Sequence, residues 1–201
     1  MGAGCFQGAG DSFIAGALDY RLSPPCLRRP TSAGYPFSFM HWPTWTPRER
    51  AVLCFIVKDG SILLIRKKRG LGAGKINGPG GRIEPGETPR EAVVRETREE
   101  IGVTPLGIEE RGELQFQFTD GYSLHCIVFQ ARDLEGDLIE TDEADPFWCA
   151  VDEIPYDGMW QDDRYWLPLM LEAKPFLASF EFDGEQMLSK EIEIREEFIR
   201  P

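Results

Sequence analysis

The chain has 201 residues, 42% of them hydrophobic, which suffices for one globular domain with a small appendage. Residues 1–47 hold only three basic and two acidic side chains, which leaves 19 basic against 32 acidic in residues 48–201, so we expect no nucleic-acid partner. No apolar run reaches the roughly 18 residues of a membrane span, so no membrane partner is expected either.

The first 47 residues are predicted to be an N-terminal extension of a domain that spans residues 48–201. They are rich in Gly, Pro and Ser and show neither the helical nor the strand period, so we expect disorder. The beginning of the chain lacks the basic region of a signal peptide. The five cysteines form no C-x-x-C pair, which favours reduced thiols in a cytoplasmic protein.

At three points an Asp-Gly pair separates two β-rich runs, which predicts hairpins with two-residue turns. Helices are expected over residues 89–101 and near residues 163–173. These elements predict an α+β domain. The hairpins join residues 51–57 to 61–65, residues 113–119 to 122–131, and residues 175–182 to 185–194.

Residues 67–80 form a loop rich in glycine and basic side chains. Glycines allow a backbone to approach a ligand closely, and Lys67 can reach a phosphate. On local grounds, a flexible basic loop without a ligand is equally consistent with these residues.

The ends of the first helix are well specified. Thr88 suits the N-cap, Pro89 the first helical position, and Glu91 completes a Thr-x-x-Glu capping box. Gly102 is the expected stop.

Three glutamates of this helix, Glu96, Glu99 and Glu100, lie at i, i+3 and i+4 and therefore share one face, opposite an apolar arc. Carboxylates at this spacing repel each other unless a divalent cation joins them, and Mg²⁺ or Mn²⁺ prefers oxygen ligands. A merely solvated acidic face is the alternative. The loop from Gly81 to Glu87 and the capped start favour the metal site.

The segment resembles the conserved box of the Nudix hydrolases, G-x5-E-x7-R-E-U-x-E-E-x-G-U, in which U is a bulky aliphatic residue. Thr97 departs from it where the family has an aliphatic residue; its hydroxyl is expected to bond the carbonyl one turn back, at a modest cost in stability. The matching residues are Gly81, Glu87, Arg95, Glu96, Glu99, Glu100, Gly102 and Val103.

Residues 67–81, 141–143 and 159–168 are similar to the oxidised-purine nucleoside triphosphate hydrolases, which share their sanitising role with the bacterial MutT type. The resemblance implies the Nudix fold, a mixed β-sheet sandwiched between α-helices. It also implies hydrolysis of 8-oxo-dGTP or 2-hydroxy-dATP to the monophosphate and pyrophosphate, which protects DNA from damaged precursors.

The same resemblance implies a set of substrate-binding residues. Leu71, Leu124 and Ala51 depart from the residue types common in that branch, which is expected to retune the pocket. The implied base-recognition residues are Asn77, Trp160, Asp162 and Asp163, with Phe116 and Phe118 as pocket walls and Lys67 near the nucleotide.

Physical chemistry gives these pocket residues a role of their own. A purine can stack on Trp160, and Asp162 with Asp163 can bind the edge of the base. Two adjacent carboxyls in a shielded pocket raise each other's pKa, so one can be protonated and donate a hydrogen bond. The alternative is that the aspartates cap the second helix and that Trp160 and Trp166 belong to the core.

The expected mechanism uses Mg²⁺, with Mn²⁺ as a substitute, bound by Glu96, Glu99 and Glu100, and the resemblance adds Gly81 to this set. The ion lowers the pKa of a bound water and neutralises the phosphates. Either Glu100 or Glu143 accepts the proton of the water. Arg95 and Glu87 are expected to orient the ligands, since Glu91 and Glu99 each lie one turn from Arg95.

Other interpretations remain open at this point. A Nudix pyrophosphatase for ADP-ribose, NADH or a dinucleoside polyphosphate needs a second nucleotide site, for which the chain has little room. A non-catalytic Nudix module would tolerate a lost metal ligand, and none is lost here. RNA decapping is disfavoured by the acidic domain. A small nucleotide is the expected partner of a monomer, with a dimer not excluded, and His125 is expected to be structural.

Overall fold

The computed structural model describes residues 42–196 and Met1, and there two helices pack on opposite faces of a mixed β-sheet. The helices are α1 (Pro89–Ile101) and α2 (Asp163–Leu171). The strands are β1 (Glu49–Lys58), β2 (Ser61–Lys67), β3 (Ile76–Asn77), β4 (Thr104–Leu106), β5 (Glu109–Phe118), β6 (Ser123–Ala131), β7 (Asp133–Glu135), β8 (Ala144–Ala150), β9 (Phe176–Asp183) and β10 (Gln186–Ile194).

The sheet has the order β10-β9-β5-β6-β1-β2-β3, with β8 also paired to β2, and β4 and β7 form a separate ribbon. The pairs β1–β6 and β5–β9 are parallel, whereas the remaining pairs of the main sheet are antiparallel. The predicted mixed sheet between helices is therefore confirmed. Among the described residues, no helix is long and apolar enough to cross a bilayer.

The three predicted hairpins are present. In the first, Lys58 pairs with Ser61, and both turn residues have positive φ, 51° at Asp59 and 76° at Gly60. That geometry matches the two-residue turn with both central residues left-handed, which follows the twist of the strands. The hairpin β5–β6 turns at Asp120-Gly121 over three residues rather than two, and β9–β10 turns one residue later than predicted, at Gly184-Glu185, because Asp183 pairs with Gln186.

The two faces of the sheet form separate apolar cores. Val93 and Ile101 of α1 are buried against β1 and β2, and Trp166 of α2 is buried against β9 and β1. The Trp166 ring meets Phe55 edge-on, with ring centroids 5.7 Å apart. The side of the sheet that faces α2 also holds the cavity described below.

Residues 42–47 differ from the predicted disordered extension. Trp42–Thr44 form a 3-10 turn, and the Trp45 indole N–H donates to Gln117 Oε1 on β5 at 3.0 Å. In this part of the extension the prediction of disorder is wrong, because an aromatic side chain finds a partner on the sheet. Residues 2–41, including Cys5, Cys26 and His41, lie outside the described residues.

Helix α1 begins and ends as predicted. Thr88 accepts a hydrogen bond from the Glu91 N–H, Glu91 accepts one from the Thr88 N–H, and Gly102 adopts φ 81° at the C-terminal end. Thr97 is fully buried, and its hydroxyl donates to the Val93 carbonyl at 2.7 Å. The helix itself thus satisfies the hydroxyl of the one residue that departs from the family pattern.

We expect Thr97→Val to change the free energy of unfolding by less than about 1 kcal/mol, because the helix already satisfies the carbonyl that the hydroxyl bonds, and its other partner, the Cys54 thiol, is a weak hydrogen-bonding group. Denaturant unfolding measures this directly. Thr88→Val is the matched control, since loss of the N-cap costs about 1 kcal/mol. A larger loss for Thr97→Val than for Thr88→Val would contradict the assignment.

Candidate active site

A cavity of about 410 Å³ opens between α2, the central strands and the glycine-rich loop. Its volume lies in the range of small-molecule sites. The structure brings to it residues that are far apart in the sequence. All seven predicted substrate-binding residues line it: Lys67, Asn77, Phe116, Phe118, Trp160, Asp162 and Asp163.

Aromatic rings form one wall of the cavity. Phe118 stacks on Phe182 with ring centroids 5.6 Å apart, and Trp160 meets Phe182 nearly at a right angle, at 5.5 Å. Gly72 lies so close to Trp160 that an added Cβ would be 2.9 Å from the indole nitrogen. Trp160 is half-buried and held on several sides, so it offers a fixed aromatic surface at the cavity.

The two aspartates lie at the buried end of the cavity, 1% and 3% exposed. Asp162 Oδ2 accepts from the Trp166 indole N–H at 2.9 Å, whereas its buried Oδ1 has no hydrogen-bond partner among the described residues. Asp163 Oδ2 accepts from the Trp160 N–H at 2.9 Å. Burial raises the pKa of both carboxyls, and the charge of Asp162 raises the pKa of Asp163 further.

Asp162 does not cap α2 as the alternative interpretation required. It occupies the N-cap position, but its side chain makes no capping hydrogen bond. Trp166 is fully buried in the core, as that interpretation expected, whereas Trp160 is only half-buried; both line the cavity. The pair of aspartates is therefore buried for a reason other than helix capping, and an oxygen left without a partner there is suited to a ligand that donates a hydrogen bond.

Arg95 organises the carboxylates of the glutamate-rich box. Its guanidinium donates twice to Glu87, at 2.8 Å each, and its Nη1 donates to Glu96 at 2.8 Å and to Glu99 at 3.1 Å. The two bonds from Arg95 to Glu87 lower the pKa of Glu87 to about 2. Glu91, expected as a partner of Arg95, is bonded in the helix cap instead.

Of the three glutamates predicted to share one face of α1, Glu100 is buried. It is 1% exposed, and both of its oxygens have donors: Lys67 Nζ at 3.0 Å and the Gly80 N–H at 2.8 Å. The glycine-rich loop and β2 cover this part of the helix, which the helical period could not reveal. Lys67, predicted near the nucleotide, is thus an ion-pair partner of the box.

The segment that carries Glu143 is tied to α1 through one hydroxyl. Thr141 Oγ1 donates to the Glu100 carbonyl at 2.8 Å and accepts from the backbone N–H groups of Glu143 and Ala144, at 3.2 Å each. The Glu143 side chain forms an ion pair with Arg69, and both residues line the cavity. The two predicted proton acceptors, Glu100 and Glu143, are therefore connected through Thr141.

Comparison with known proteins decides the family, because the NUDIX domain model matches residues 47–170. The chain belongs to the Nudix family. The oxidized purine nucleoside triphosphate hydrolase of Danio rerio is 42% identical over 137 residues, 68% of this chain and 88% of that protein. Its counterpart in Mus musculus is 35% identical over 137 residues, with the same shares of both chains.

Among solved structures, the mutator MutT protein from Bacillus halodurans has a TM-score of 0.66 at 26% identity, covering 72% of this chain and 97% of that chain. The resemblance inferred from the sequence is thus confirmed, and the protein is a Nudix hydrolase. Nudix hydrolases act on small nucleotides and generally use divalent metal ions.

The box of this Nudix hydrolase fits such an ion in chemistry and charge. Among the described residues, no three His, Cys, Asp or Glu side chains form a ready-made metal site, because Arg95 and Lys67 hold the carboxylates. In the described part of the chain, the carboxylates of Glu87, Glu96, Glu99 and Glu100 nevertheless share two ion-pair partners, Arg95 and Lys67, which leaves excess negative charge. Burial also raises the pKa of Glu96. Hard oxygen donors with excess negative charge suit Mg²⁺ or Mn²⁺.

We expect Gly81→Ala to weaken divalent-metal binding by about ten- to a hundredfold, since a Cβ there would lie 2.4 Å from the Glu96 carboxyl and displace it. Mn²⁺ titration by electron paramagnetic resonance measures the affinity without turnover. Thermal unfolding of the same variant checks that the fold persists. Unchanged Mn²⁺ affinity would remove Glu96 from the metal site.

Several residues of the cavity were not singled out from the sequence, namely Arg69, Arg82, Tyr122 and Cys126. Arg69 lies in the basic loop, and only its proximity to Lys67 could have indicated it. Tyr122 donates to Glu49 at 2.6 Å, and Arg82 donates to the same carboxylate, also at 2.6 Å. Such contacts between distant segments leave no periodic signal.

His125 and the described cysteines lie as expected for structural residues. His125 Nε2 is 2.7 Å from Glu113 Oε2, and the same carboxylate meets Arg195 at 3.1 Å. Cys54 and Cys126 are buried free thiols, and burial raises the pKa of Cys54 to about 12. Neither thiol is activated as a nucleophile.

Proposed function

We propose that this Nudix hydrolase converts oxidised purine nucleoside triphosphates, including 8-oxo-dGTP and 2-hydroxy-dATP, to the monophosphate and pyrophosphate with Mg²⁺. One observation carries the proposal: a single cavity joins an aromatic wall and two buried aspartates to the loop that contacts the carboxylate box. The similarity to the oxidized purine nucleoside triphosphate hydrolases of Danio rerio and Mus musculus supports the same substrate class.

The base is proposed to lie against Trp160 with its edge toward Asp162 and Asp163. Their raised pKa favours the protonated carboxyl, so the pair can both donate and accept hydrogen bonds. The unpaired Oδ1 of Asp162 gives the base a buried polar partner. A pocket that can exchange donor and acceptor suits both 8-oxoguanine and 2-hydroxyadenine, whose edges differ in this respect.

In the proposed reaction, water attacks the α-phosphorus, the bond from that phosphorus to the oxygen it shares with the β-phosphorus breaks, and pyrophosphate leaves with that oxygen. A bound Mg²⁺ supplies charge neutralisation and a lowered pKa of water. Glu96, Glu99 and Glu100 would hold it, and Arg95 keeps the first two in place through bonds of 2.8 and 3.1 Å. Glu100 or Glu143 takes the proton of the water. Gly80 and Lys67 occupy both oxygens of Glu100, whereas Glu143 is half-exposed at the cavity.

The proposal includes action on the cytoplasmic nucleotide pool, in which reduced thiols such as Cys54 and Cys126 persist. Removing damaged triphosphates there would keep them out of newly made DNA. The enzyme is proposed to act as a monomer, since one chain supplies every side chain named for the cavity and the box.

The test is pyrophosphate release with Mg²⁺ from 8-oxo-dGTP, 2-hydroxy-dATP, dGTP, dATP, ADP-ribose and NADH at matched low concentration. We expect kcat/KM for the oxidised triphosphates to exceed that for the ordinary ones. A preference for ADP-ribose or NADH would keep the Nudix chemistry but reject the base assignment. No release from any compound would reject the catalytic proposal, and Mn²⁺ is included to exclude a simple metal preference.

A further inference from the structure

The basic side chains that line the cavity are all paired with carboxylates. Within the described residues these are Lys67 with Glu100 at 3.0 Å, Arg82 with Glu49 at 2.6 Å, and Arg69 with Glu143. A nucleoside triphosphate carries several negative charges, which would compete with these carboxylates for the same cations. Binding of such a substrate must therefore exchange at least one of these pairs, or leave the phosphates without a cationic partner.

The three pairs differ in how easily they exchange. Breaking the Lys67–Glu100 pair would leave a buried charge, because the Glu100 side chain is only 2% exposed, and that is costly. In the Arg69–Glu143 pair the side chains are 62% and 42% exposed, and pairs of this kind contribute little stability. An incoming phosphate can displace the Glu143 carboxylate from Arg69, because water already competes for both of these exposed side chains.

Arg69–Glu143 is also the one of these three pairs in which both partners line the cavity of the described structure. Glu49, the partner of Arg82, lies outside the lining and keeps the Tyr122 hydroxyl at 2.6 Å. A polyphosphate in the cavity thus meets the Arg69 guanidinium and its competing carboxylate together. The guanidinium fork suits phosphate oxygens as well as a carboxylate.

The backbone around the pair is fixed, so an exchange needs only side-chain motion. The Lys68 N–H donates to the Glu143 carbonyl at 2.8 Å, and Thr141 holds the Glu143 N–H. Lys68 bridges the same two segments through Glu140 at 2.6 Å, outside the cavity. The segments remain joined when Arg69 changes partner.

We propose that Arg69 binds the outer phosphates of the substrate and that Glu143 competes with them for Arg69. Its exposure places Arg69 at the mouth of the cavity, where the outer phosphates of a base bound against Trp160 would emerge. Substrate binding then frees the Glu143 carboxylate beside the box. This inference rests on the proposed function only in requiring a nucleotide polyphosphate.

The proposal makes the two partners act in opposite directions. Without Arg69 the polyphosphate loses a charged hydrogen-bonding partner, so its affinity falls. Without the Glu143 charge, Arg69 is released from its competitor and the affinity rises. An ion pair that merely joins two segments would behave differently, because removal of either partner breaks the same contact.

The experiment measures Kd by tryptophan fluorescence in EDTA, where turnover is prevented, for 8-oxo-dGTP, 8-oxo-dGMP, dGTP and dGMP. Arg69→Gln is expected to raise Kd for both triphosphates by about ten- to a hundredfold, with monophosphate affinity within about twofold. Glu143→Gln is expected to lower the triphosphate Kd. Lys68→Gln, the matched control, removes the neighbouring cross-segment pair and should leave every Kd unchanged.

Equal Kd values for Arg69→Gln and Lys68→Gln would overturn the proposal, and so would weaker triphosphate binding in both Arg69→Gln and Glu143→Gln. Thermal unfolding of each variant verifies the fold, which substitutions at such exposed positions rarely disturb. Failure of the substrate assignment is separately visible, since 8-oxo-dGTP would then bind no better than dGTP while the phosphate comparison still reports on Arg69.

Discussion

Glu100→Gln is expected to lower kcat by about a hundred- to ten-thousandfold, the range for loss of a proton acceptor or an ion ligand. The structure adds a second effect. Both Glu100 oxygens accept from donors, Lys67 Nζ and the Gly80 N–H, so the amide of a glutamine must turn its own NH₂ toward one of them. A buried donor left unpaired costs about 1–3 kcal/mol, and Tm should fall as well.

Glu99→Gln separates the two effects. The Glu99 side chain is 62% exposed and accepts a hydrogen bond from Arg95 at 3.1 Å. We therefore expect lost activity with little change in Tm. Steady-state kinetics with Mg²⁺, together with thermal unfolding, measure both quantities. A fully active Glu99→Gln/Glu100→Gln double variant would reject the assignment of the box.

Asp163→Asn is expected to make the protein more stable than the wild type at pH 8 but not at pH 4. Burial and the charge of Asp162 raise the pKa of Asp163, so the folded state holds a proton that the unfolded chain releases. The stabilisation from that proton is complete below the unfolded pKa of about 4 and is lost as the pH rises through the folded pKa. Each unit of pKa change corresponds to about 1.4 kcal/mol.

Urea unfolding from pH 4 to pH 8 measures this difference. Asp157→Asn is the control, because the Asp157 side chain is fully exposed beside Arg164. A difference between Asp163→Asn and the wild type that does not vary with pH would show that the pKa of Asp163 is the same in the folded and unfolded states, and so would contradict the raised pKa. A separate variant, Asp162→Asn, is expected to abolish any pH dependence in the preference between 8-oxo-dGTP and 2-hydroxy-dATP.

The helix and hairpins could be predicted because their determinants are local. Thr88 and Pro89 define the start of α1 and Gly102 its end, each through contacts within about one helical turn, and Asp59-Gly60 specifies its own turn. The cavity is different. The fold brings Asn77, Phe116 and Trp160 from distant parts of the chain to one cavity. The sequence indicated these residues through resemblance to relatives rather than through spacing.

The helical period could not predict which groups contact the glutamates of the box. Spacing placed Glu96, Glu99 and Glu100 on one face of α1, but it gave no information on which loop covers that face. Gly80 and Lys67 cover Glu100, and the helix cap takes Glu91 away from Arg95. The cover over Glu100 depends on how distant segments cross, which a one-dimensional pattern does not encode, whereas the capping bond of Glu91 is local and was predicted from the sequence.

The parallel pairing of β1 with β6 has a consequence for how the enzyme folds. Ala51 pairs with Cys126, and Leu114 of β5 pairs with Ala178 of β9, so these ladders join segments separated by long stretches of chain. Chains dominated by such remote pairings fold slowly, over about milliseconds to seconds. Phe182 of β9 belongs to the cavity wall, so a growing chain acquires a complete pocket only after β9 has been synthesised.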